Sequence, residues 1–216
     1  MSLRTKFSET DLDRIKKAVR EAESKISGEI VPVIVSKSGY YNIANYKGSL
    51  FTAAAVFSVI IVLDRFVPAL AIYDPLLIFL VVSLASVVGA VVPNFSDDVR
   101  RLLVTQRHMD HATRQRAENA FLEQEVFNTR QRTGIMIFVS FFEHEVIVMA
   151  DTGISEVVEQ KVWDKIVSNL TDQIRKGKIV DGLERAIHDC ADILLEKGFV
   201  RSDLDTNELR DDLRVG

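Results

Sequence analysis

The chain has 216 residues and a formal net charge of −4, which excludes the basic footprint typical of a nucleic-acid-binding domain. Its ten glycines and four prolines exclude a collagen-like or broadly disordered chain, and its single cysteine excludes a disulfide framework and a cysteine-rich metal cluster. Apolar residues make up 47% of the sequence, but many of them are concentrated in the middle of the chain.

The chain begins with a predicted helix and a predicted strand. Ser8 is a candidate N-cap, and Phe7 and Leu12 occupy the hydrophobic-staple positions on either side of the helix start. Residues 29–36 (EIVPVIVS) form a short β-branched run typical of a buried strand. Because Pro32 cannot donate a hydrogen bond to a neighbouring strand, we expect an edge position or a bulge there.

Two uncharged runs occupy the middle of the chain, at residues 48–63 and 75–96. A helix rises about 1.5 Å per residue, so a membrane span needs about 20 mainly apolar residues. The second run has this length, and the first reaches it by including Tyr46 and Lys47 or by continuing past Asp64. We therefore predict a transmembrane helical hairpin at residues 47–95, in which small side chains let the two backbones approach closely. These small residues are Ala53, Ala54, Ala55, Ser83, Ala85, Ser86, Gly89 and Ala90.

Two other structures remain open for these apolar runs. The first is a buried hairpin in the core of a soluble protein, although a soluble helix normally presents a polar stripe to water and neither run has one. The second is a re-entrant loop that dips into the membrane and returns, because the first run is short.

The charges beside the hairpin predict its orientation by the positive-inside rule. The connecting turn has Arg65 as its basic residue, close to Asp64 and Asp74, whereas the flanks carry several basic residues. The first twenty residues contain charges throughout, so we expect no signal peptide. Both flanks are therefore expected in the cytoplasm, with the lipid bilayer as a partner. The basic residues of the flanks are Lys37, Lys47, Arg100, Arg101 and Arg107.

A helix and a β-hairpin are predicted after the apolar runs. Residues 97–128 are polar and read as one long helix. Two β-rich runs follow at residues 134–142 and 145–150. Only Glu143 and His144 separate these runs, which predicts a tight hairpin.

Two amphipathic helices are predicted towards the end of the chain. The first follows the turn Asp151-Thr152-Gly153, and the second covers residues 180–197 and ends at Gly198. A loop at residues 175–178 (RKGK) connects them. Residues 200–216 are charged and lack a core-sized apolar face, so we expect a flexible tail.

The order of the predicted elements indicates an α/β fold with a small mixed sheet and helices packed on it. Residues 1–46 and 96–199 are predicted to be the two parts of one α/β domain. Residues 47–95, the membrane hairpin, interrupt this domain, and residues 200–216 follow it.

Several stretches of the soluble part resemble the TPM domain family, named for TLP18.3, Psb32 and MOLO-1. They are SGEIV at residues 27–31, NTRQRTGIMIFVS at residues 128–140 and VIVMADTGI at residues 146–154. The sequence is most similar to the bacterial membrane-associated branch of this family. The resemblance covers residues 10–36 and 115–198.

The resemblance implies a compact α/β/α domain, interrupted here by the transmembrane hairpin, at a bacterial inner membrane. It also implies an accessory role in a membrane protein complex, or self-association. Some family members have phosphatase activity, and some bind a divalent cation. We therefore expect a membrane-anchored accessory or interaction protein without a defined catalytic site, with a metal-assisted phosphatase-type hydrolase as the alternative.

The resemblance also makes Asp151 a candidate ligand for a divalent cation, because it matches an acidic position of the close bacterial branch. The residue type alone equally fits a helix start. Many members begin the preceding strand with Asp-Asn-Gly, whereas this chain has Arg132-Thr133-Gly134, so that aspartate is absent. In family terms, Asp181 and Glu184 are expected close to Asp151.

Two further polar groups are candidates for chemistry. His108 and His111 share a helix face and can reach one metal ion, although a solvated helix surface explains them equally. His144, between Glu143 and Glu145, is either a proton shuttle or part of a polar turn. The sequence contains no nucleophile elbow, P-loop, dinucleotide fingerprint or HExxH motif, so we predict no catalytic residue.

Overall fold

The computed structural model describes residues 7–202 and 207–216. The chain divides into two compact units, one formed by the described residues up to Ser38 and from Asp110 onward, and the other by Gly39–Met109. The helices of the described chain are α1 (Glu9–Glu23), α2 (Ile43–Phe66), α3 (Pro75–Val91), α4 (Asp97–Leu103), α5 (Gln106–Glu123), α6 (Thr152–Ser155), α7 (Gln160–Arg175) and α8 (Ile179–Glu196). The strands are β1 (Glu29–Val35), β2 (Gly134–Ser140), β3 (Glu145–Ala150) and β4 (Arg214–Val215).

Helix α1 begins where its sequence predicts. The Ser8 hydroxyl accepts the Asp11 N–H at 3.1 Å, and the Asp11 carboxylate accepts the Ser8 N–H at 3.0 Å. This reciprocal capping box satisfies two N–H groups that have no partner within the helix. The predicted N-cap is therefore confirmed.

The sheet is mixed and has the strand order β3-β2-β1-β4. β1 and β2 run parallel, from the pair Glu29–Gly134 to the pair Val35–Ser140. β2 and β3 are antiparallel neighbours, and β4 lies parallel to β1. The predicted α/β class with a mixed sheet is confirmed.

Helices cover both faces of this sheet. On one face, α1, α7 and α8 pack against side chains that include Ile30, Ile34 and Ile135. On the other face, α5 packs through Ala117 and Ala120 on the side chains that point the opposite way along the strands, such as Val33, Met136 and Phe138. The β1 and β2 side chains are buried throughout, because each strand is covered on both faces.

Strand β1 is not an edge strand, so the position expected from Pro32 is wrong. The Glu29 N–H donates to the Thr133 carbonyl on the β2 side at 3.2 Å. Because successive backbone nitrogens along a strand point to opposite sides, those of Ile30 and Pro32 face β4. The short strand β4 pairs only further along β1. Proline is tolerated here because no β4 carbonyl faces it, while the Ile30 N–H donates to Glu23 Oε1 at 2.9 Å.

Three predicted elements differ in their boundaries. The long helix expected at residues 97–128 is divided into α4 and α5 at Val104, which has extended backbone and a buried side chain. The helix expected after Asp151 is likewise divided into α6 and α7. The β2–β3 hairpin is antiparallel as predicted, but its loop runs from Phe141 to His144, and His144 adopts a left-handed φ of 56°.

The end of the chain packs on the sheet, in contrast to the flexible tail that we expected. Two residues of β4 pair with Val33 and Ile34 of β1. Asp211 is buried and pairs with Arg20 of α1, with Arg20 Nε 2.6 Å from its Oδ2. Short-range patterns could not reveal this contact, because it depends on partners far away in the sequence. Residues 203–206 of the expected tail lie outside the described residues.

The second unit consists mainly of α2 and α3. Both are long and apolar enough to cross a membrane, over Ile43–Phe66 and, with a final 3₁₀ turn, over Pro75–Asn94. A connection containing a 3₁₀ turn at Pro68–Leu70 joins them.

Candidate functional site

The paired helices α2 and α3 expose an extensive apolar surface. Only 6% of the most apolar 18-residue stretch of either helix is buried, which does not fit a buried hairpin in a soluble core. At about 1.5 Å per residue, α2 is about 36 Å long, against a hydrocarbon core of about 30 Å. The exposed side chains include Phe51, Phe57, Ile61, Phe79, Leu80 and Leu84.

Small residues bring α2 and α3 into close contact. A Cβ atom added to Gly48 would collide with the Gly89 carbonyl oxygen, and one added to Gly89 would collide with the Thr52 hydroxyl. The Ser49 and Ser86 hydroxyls are hydrogen-bonded across the pair at 2.7 Å. Ser86 and Gly89 thus lie at the contact, as their sequence positions predicted, and polar groups pair within it.

The basic residues predicted as membrane flanks lie near the ends of these apolar helices. Lys47 Nζ donates to the Leu103 carbonyl at 2.9 Å. Arg100 Nη2 donates to Asn94 Oδ1 at 3.4 Å, and its Nη1 lies 3.6 Å from Asp97 Oδ1. Arg107 is exposed on α5, and Arg101 is half-buried on α4.

Asp151 is a buried side chain at the start of α6. Its Oδ1 accepts the Thr152 N–H at 2.7 Å, which makes it the N-cap of that short helix. Its Oδ2 lies 2.8 Å from Arg132 Nε in an ion pair. Arg132 has a left-handed φ of 58°, which a residue other than glycine rarely adopts, and its guanidinium also stands 5.7 Å from the centre of the Phe127 ring.

These contacts do not fit a divalent cation at Asp151. A cation there would meet the positive charge of Arg132. Asp181 and Glu184, which we expected near Asp151, instead pair with Arg14 of α1 at 2.8 Å and 2.6 Å. Nothing observed tests cation binding at Asp151 directly, so Asp151 as a metal ligand stays a prediction, one that the ion pair with Arg132 speaks against.

His108 and His111 both lie exposed on α5. The His108 ring makes an edge-to-face contact with Tyr41, with ring centres 5.9 Å apart. Glu118, further along α5, pairs with Arg114 at 3.1 Å. Over residues 7–202 and 207–216, no group of three or more His, Cys, Asp or Glu side chains is arranged to hold a metal ion.

The acidic residues of the β2–β3 hairpin have different environments. Glu143 is fully buried, and its Oε1 accepts the Ser38 N–H at 2.8 Å while its Oε2 accepts the Ser140 hydroxyl. Burial raises the pKa of Glu145, and a hydrogen bond with the Asp110 carboxyl raises it further, against a lowering by Thr113. Glu143 thus anchors the loop and is not part of an exposed turn.

A buried acidic cluster at the other end of β1 was missed by the sequence analysis. It comprises Glu23, Glu29 and Asp211. Glu29 accepts the N–H groups of Glu208 and Leu209 at 3.0 and 3.3 Å. Burial, followed by the charge of Glu29, raises the pKa of Glu23 to about 8. Asp211 and the backbone groups that Glu29 binds come from the distant chain end, so no local motif marks this cluster.

Comparisons with known proteins support the resemblance to the TPM domain family. The model of the TPM domain matches residues 96–193. Among solved structures, the chain is similar to the NMR structure of the BA42 protein from the psychrophilic bacterium Bizionia argentinensis. The TM-score is 0.59 at 17% identity, covering 97% of this chain and 95% of that chain, and the likeness concerns the fold alone. No curated protein matches. The resemblance predicted from the residues is thus confirmed.

Proposed function

The chain contains a TPM domain, and we propose that it acts as a membrane-anchored accessory protein, in which α2 and α3 hold the α/β unit at a bacterial inner membrane. The observation that carries this proposal is the exposed apolar surface of these two helices. Exposed apolar surface of this extent is unfavourable in water and is typical of contact with lipid or with another protein.

The parallel pairing of β1 and β2 favours an apolar hairpin whose two ends lie on the same side of the membrane. β1 precedes α2 in the chain and β2 follows α3, yet the two strands are parallel neighbours over their whole length. The residues before and after the apolar helices therefore belong to one folded unit, and a bilayer cannot separate them. Two complete spans, or a re-entrant pair, satisfy this condition, whereas a single span does not.

The distribution of basic residues favours the cytoplasm for the folded unit. Lys47, Arg100, Arg101 and Arg107 lie in or close to the flanks of the apolar runs in sequence, whereas the connection has Arg65 with Asp64 and Asp74 close by in sequence. Cytoplasmic flanks of membrane helices carry such an excess of Lys and Arg. The connection between α2 and α3 is then on the outer side.

We propose a role in binding a membrane protein complex, because the candidate chemical groups are engaged in structural contacts. Arg132 pairs with Asp151, Arg114 pairs with Glu118, and Glu143 holds the hairpin loop. These contacts stabilise the α/β unit, whose remaining surface is available for a protein partner.

Cysteine labelling of the full chain tests this topology. Cys190 is the single cysteine and is fully buried, so the unsubstituted chain serves as the unlabelled control. We expect a membrane-impermeant maleimide to label Ala69→Cys, in the exposed connection, from the outside of intact spheroplasts. Ser202→Cys, exposed beyond α8, should react only after permeabilisation. Labelling of Ser202→Cys from outside would show the opposite orientation. Failure of the external maleimide to label Ala69→Cys would contradict two complete spans.

A further inference from the structure

Residues 207–216, which we call the strap, lie along β1 with little backbone pairing. The strap contains β4, which pairs with β1 at two positions, whereas β2 pairs with β1 at seven. Beyond β4, the Gly216 N–H donates to the Ile34 carbonyl at 2.9 Å, and the Ser36 N–H donates to the Gly216 carbonyl at 3.4 Å. The strap also has three apolar side chains that are only partly buried, those of Leu209, Leu213 and Val215. Backbone pairing and apolar packing therefore attach the strap to β1 less firmly than they attach β2.

Charged side chains also attach the strap to the rest of the fold. The two carboxylate oxygens of Glu29 accept backbone N–H groups of the strap, from Glu208 at 3.0 Å and from Leu209 at 3.3 Å. Two ion pairs join the strap to α1, both at 2.6 Å, namely Arg20–Asp211 and Lys16–Asp212. Attachment of this kind depends on the charge of the groups around it.

Glu23, the last residue of α1, interacts with the strap. It is only 6% exposed, and its Oε2 has no hydrogen-bond partner among the described residues. Burial, followed by the charges of Glu29 and Asp211, raises the pKa of Glu23 to about 8. Arg214 of the strap also interacts electrostatically with Glu23. The site therefore favours the neutral acid of Glu23, and two charged groups of the strap act on it.

Charged groups from α1, β1, the strap and the residues after α8 face Glu23. They are Glu29, Asp211, Arg20, Arg201 and Arg214. The Arg201 guanidinium favours the ionised form of Glu23, and its Nη1 donates to the Glu23 carbonyl at 2.7 Å. The other two guanidinium groups have partners of their own, because Arg20 pairs with Asp211 and Arg214 Nε donates to Gln124 Oε1 at 3.1 Å. Burial and the two carboxylates outweigh the nearby positive charges.

We propose that the strap is a pH-controlled element, which stays on β1 while Glu23 holds a proton and is released when Glu23 ionises. An ionised carboxylate is costly in a buried site unless water or other partners reach it. The strap can leave this site more easily than α1 or β1, which are fixed by fully buried side chains such as Val19 and Ile30. Release leaves the Ile34 carbonyl and the Ser36 N–H without their partner in the strap. This inference goes beyond the accessory role and does not depend on membrane anchoring.

The titration of Glu23 sets the direction of the pH dependence. With the strap in place, the pKa of Glu23 is about 8, and after release we expect it to return towards the ordinary value of 4.5. The released fraction then rises with pH between about pH 5 and pH 8 and stays level above that range. Complete return to the ordinary value corresponds to a rise of about 70-fold between about pH 5.5 and pH 7.5.

Hydrogen–deuterium exchange of the full chain in detergent micelles tests this release. Protection factors, which correct for the intrinsic effect of pH on exchange, are compared at about pH 5.5 and pH 7.5 for the strap and for β2. We expect the protection of the strap to fall at least about tenfold while that of β2 stays constant. Constant protection of the strap would overturn the proposal. An equal fall in the strap and in β2 would also overturn it, because the whole α/β unit would then open together.

Two matched variants test whether Glu23 is the group responsible. Glu23→Gln is neutral at every pH, and Glu156→Gln removes an exposed carboxylate as the control. We expect Glu23→Gln to reduce the pH effect on the strap at least about threefold, with a remainder from the raised pKa of Glu29, and Glu156→Gln to leave it unchanged. An equal pH effect in both variants would overturn the proposal. Should Glu23→Gln fail to fold, the unsubstituted chain still decides, because a released fraction that keeps rising well above about pH 8 would exclude Glu23.

Discussion

Glu23 carries a carboxyl group that the fold buries almost completely. Its Oε1 accepts the Ile30 N–H, while its Oε2 has no hydrogen-bond partner among the described residues. Burial and the nearby Glu29 raise its pKa to about 8, far above the ordinary value of 4.5. The folded chain therefore holds a proton on Glu23 over a pH range in which the unfolded chain releases it.

This difference predicts how stability depends on pH. A folded-state pKa above the unfolded value contributes stability that is complete below about pH 4.5 and is lost as the pH rises to about 8. We expect thermal stability to fall between about pH 5 and pH 8, and Glu23→Gln to reduce this fall, because glutamine mimics the protonated acid. The raised pKa values of Glu29 and Glu145 act in the same direction, so some slope should remain.

Melting temperatures measured across this pH range in detergent micelles check the prediction. Glu156→Gln, which changes an exposed carboxylate, is the matched control. An equal pH dependence for Glu23→Gln and the unsubstituted chain would show that Glu23 is not the group responsible.

The ion pair of Arg132 and Asp151 predicts a second stability effect. Arg132→Ala leaves the buried Asp151 Oδ2 without its cation, and such an uncompensated group costs about 1–3 kcal/mol. We expect a smaller loss when Asp151→Asn is combined with Arg132→Ala, because the asparagine oxygen can still accept the Thr152 N–H and carries no charge. A double-mutant cycle by chemical denaturation measures the coupling, and strictly additive losses would contradict a direct interaction.

The close contact between α2 and α3 predicts that a large side chain at Gly89 destabilises the helix pair. Gly89→Leu places a side chain where even a Cβ atom would collide with Thr52, and such overpacking costs about 1–3 kcal/mol. Ala55→Leu, at an exposed position of α2, is the matched control and should be nearly neutral. Thermal unfolding in micelles compares the two variants, and equal melting temperatures would mean that the close contact does not stabilise the pair.

Local sequence signals predicted some elements well. Helix α1 follows its N-cap, β3 has the predicted bounds, and α8 differs from its prediction by one residue at each end. In each case, the capping residue, the alternation or the apolar face lies within the element itself. Val104, at the break between α4 and α5, is buried in the folded chain, and β4 pairs with a strand far away in sequence. Neither feature has a local signal.

The candidate sites were less predictable than the fold. The sequence indicated that Asp151 occupies a special position, but the ion pair with Arg132 depends on an unusual backbone conformation that arginine rarely adopts. Glu143 accepts the N–H of Ser38, which follows β1, and these two residues come together only in the folded sheet. No local pattern could therefore predict that Glu143 is buried. The edge position of β3 became visible only with the strand order.

For the whole molecule, the insertion of an apolar helix pair between two adjacent parallel strands is the feature on which the proposed function rests. It joins the α/β unit and the apolar helices in one continuous chain, so the proposed anchoring of α2 and α3 would tether the α/β unit to the membrane.

Alkaline extraction of membranes from cells that produce the full chain tests this account most directly. Carbonate washing removes peripheral proteins, whereas proteins with embedded helices remain in the pellet after ultracentrifugation. We predict that the chain stays in the pellet after the carbonate wash and is released by mild detergent. Recovery of the folded chain in the detergent-free supernatant would show that lipid does not cover α2 and α3, and would contradict the account.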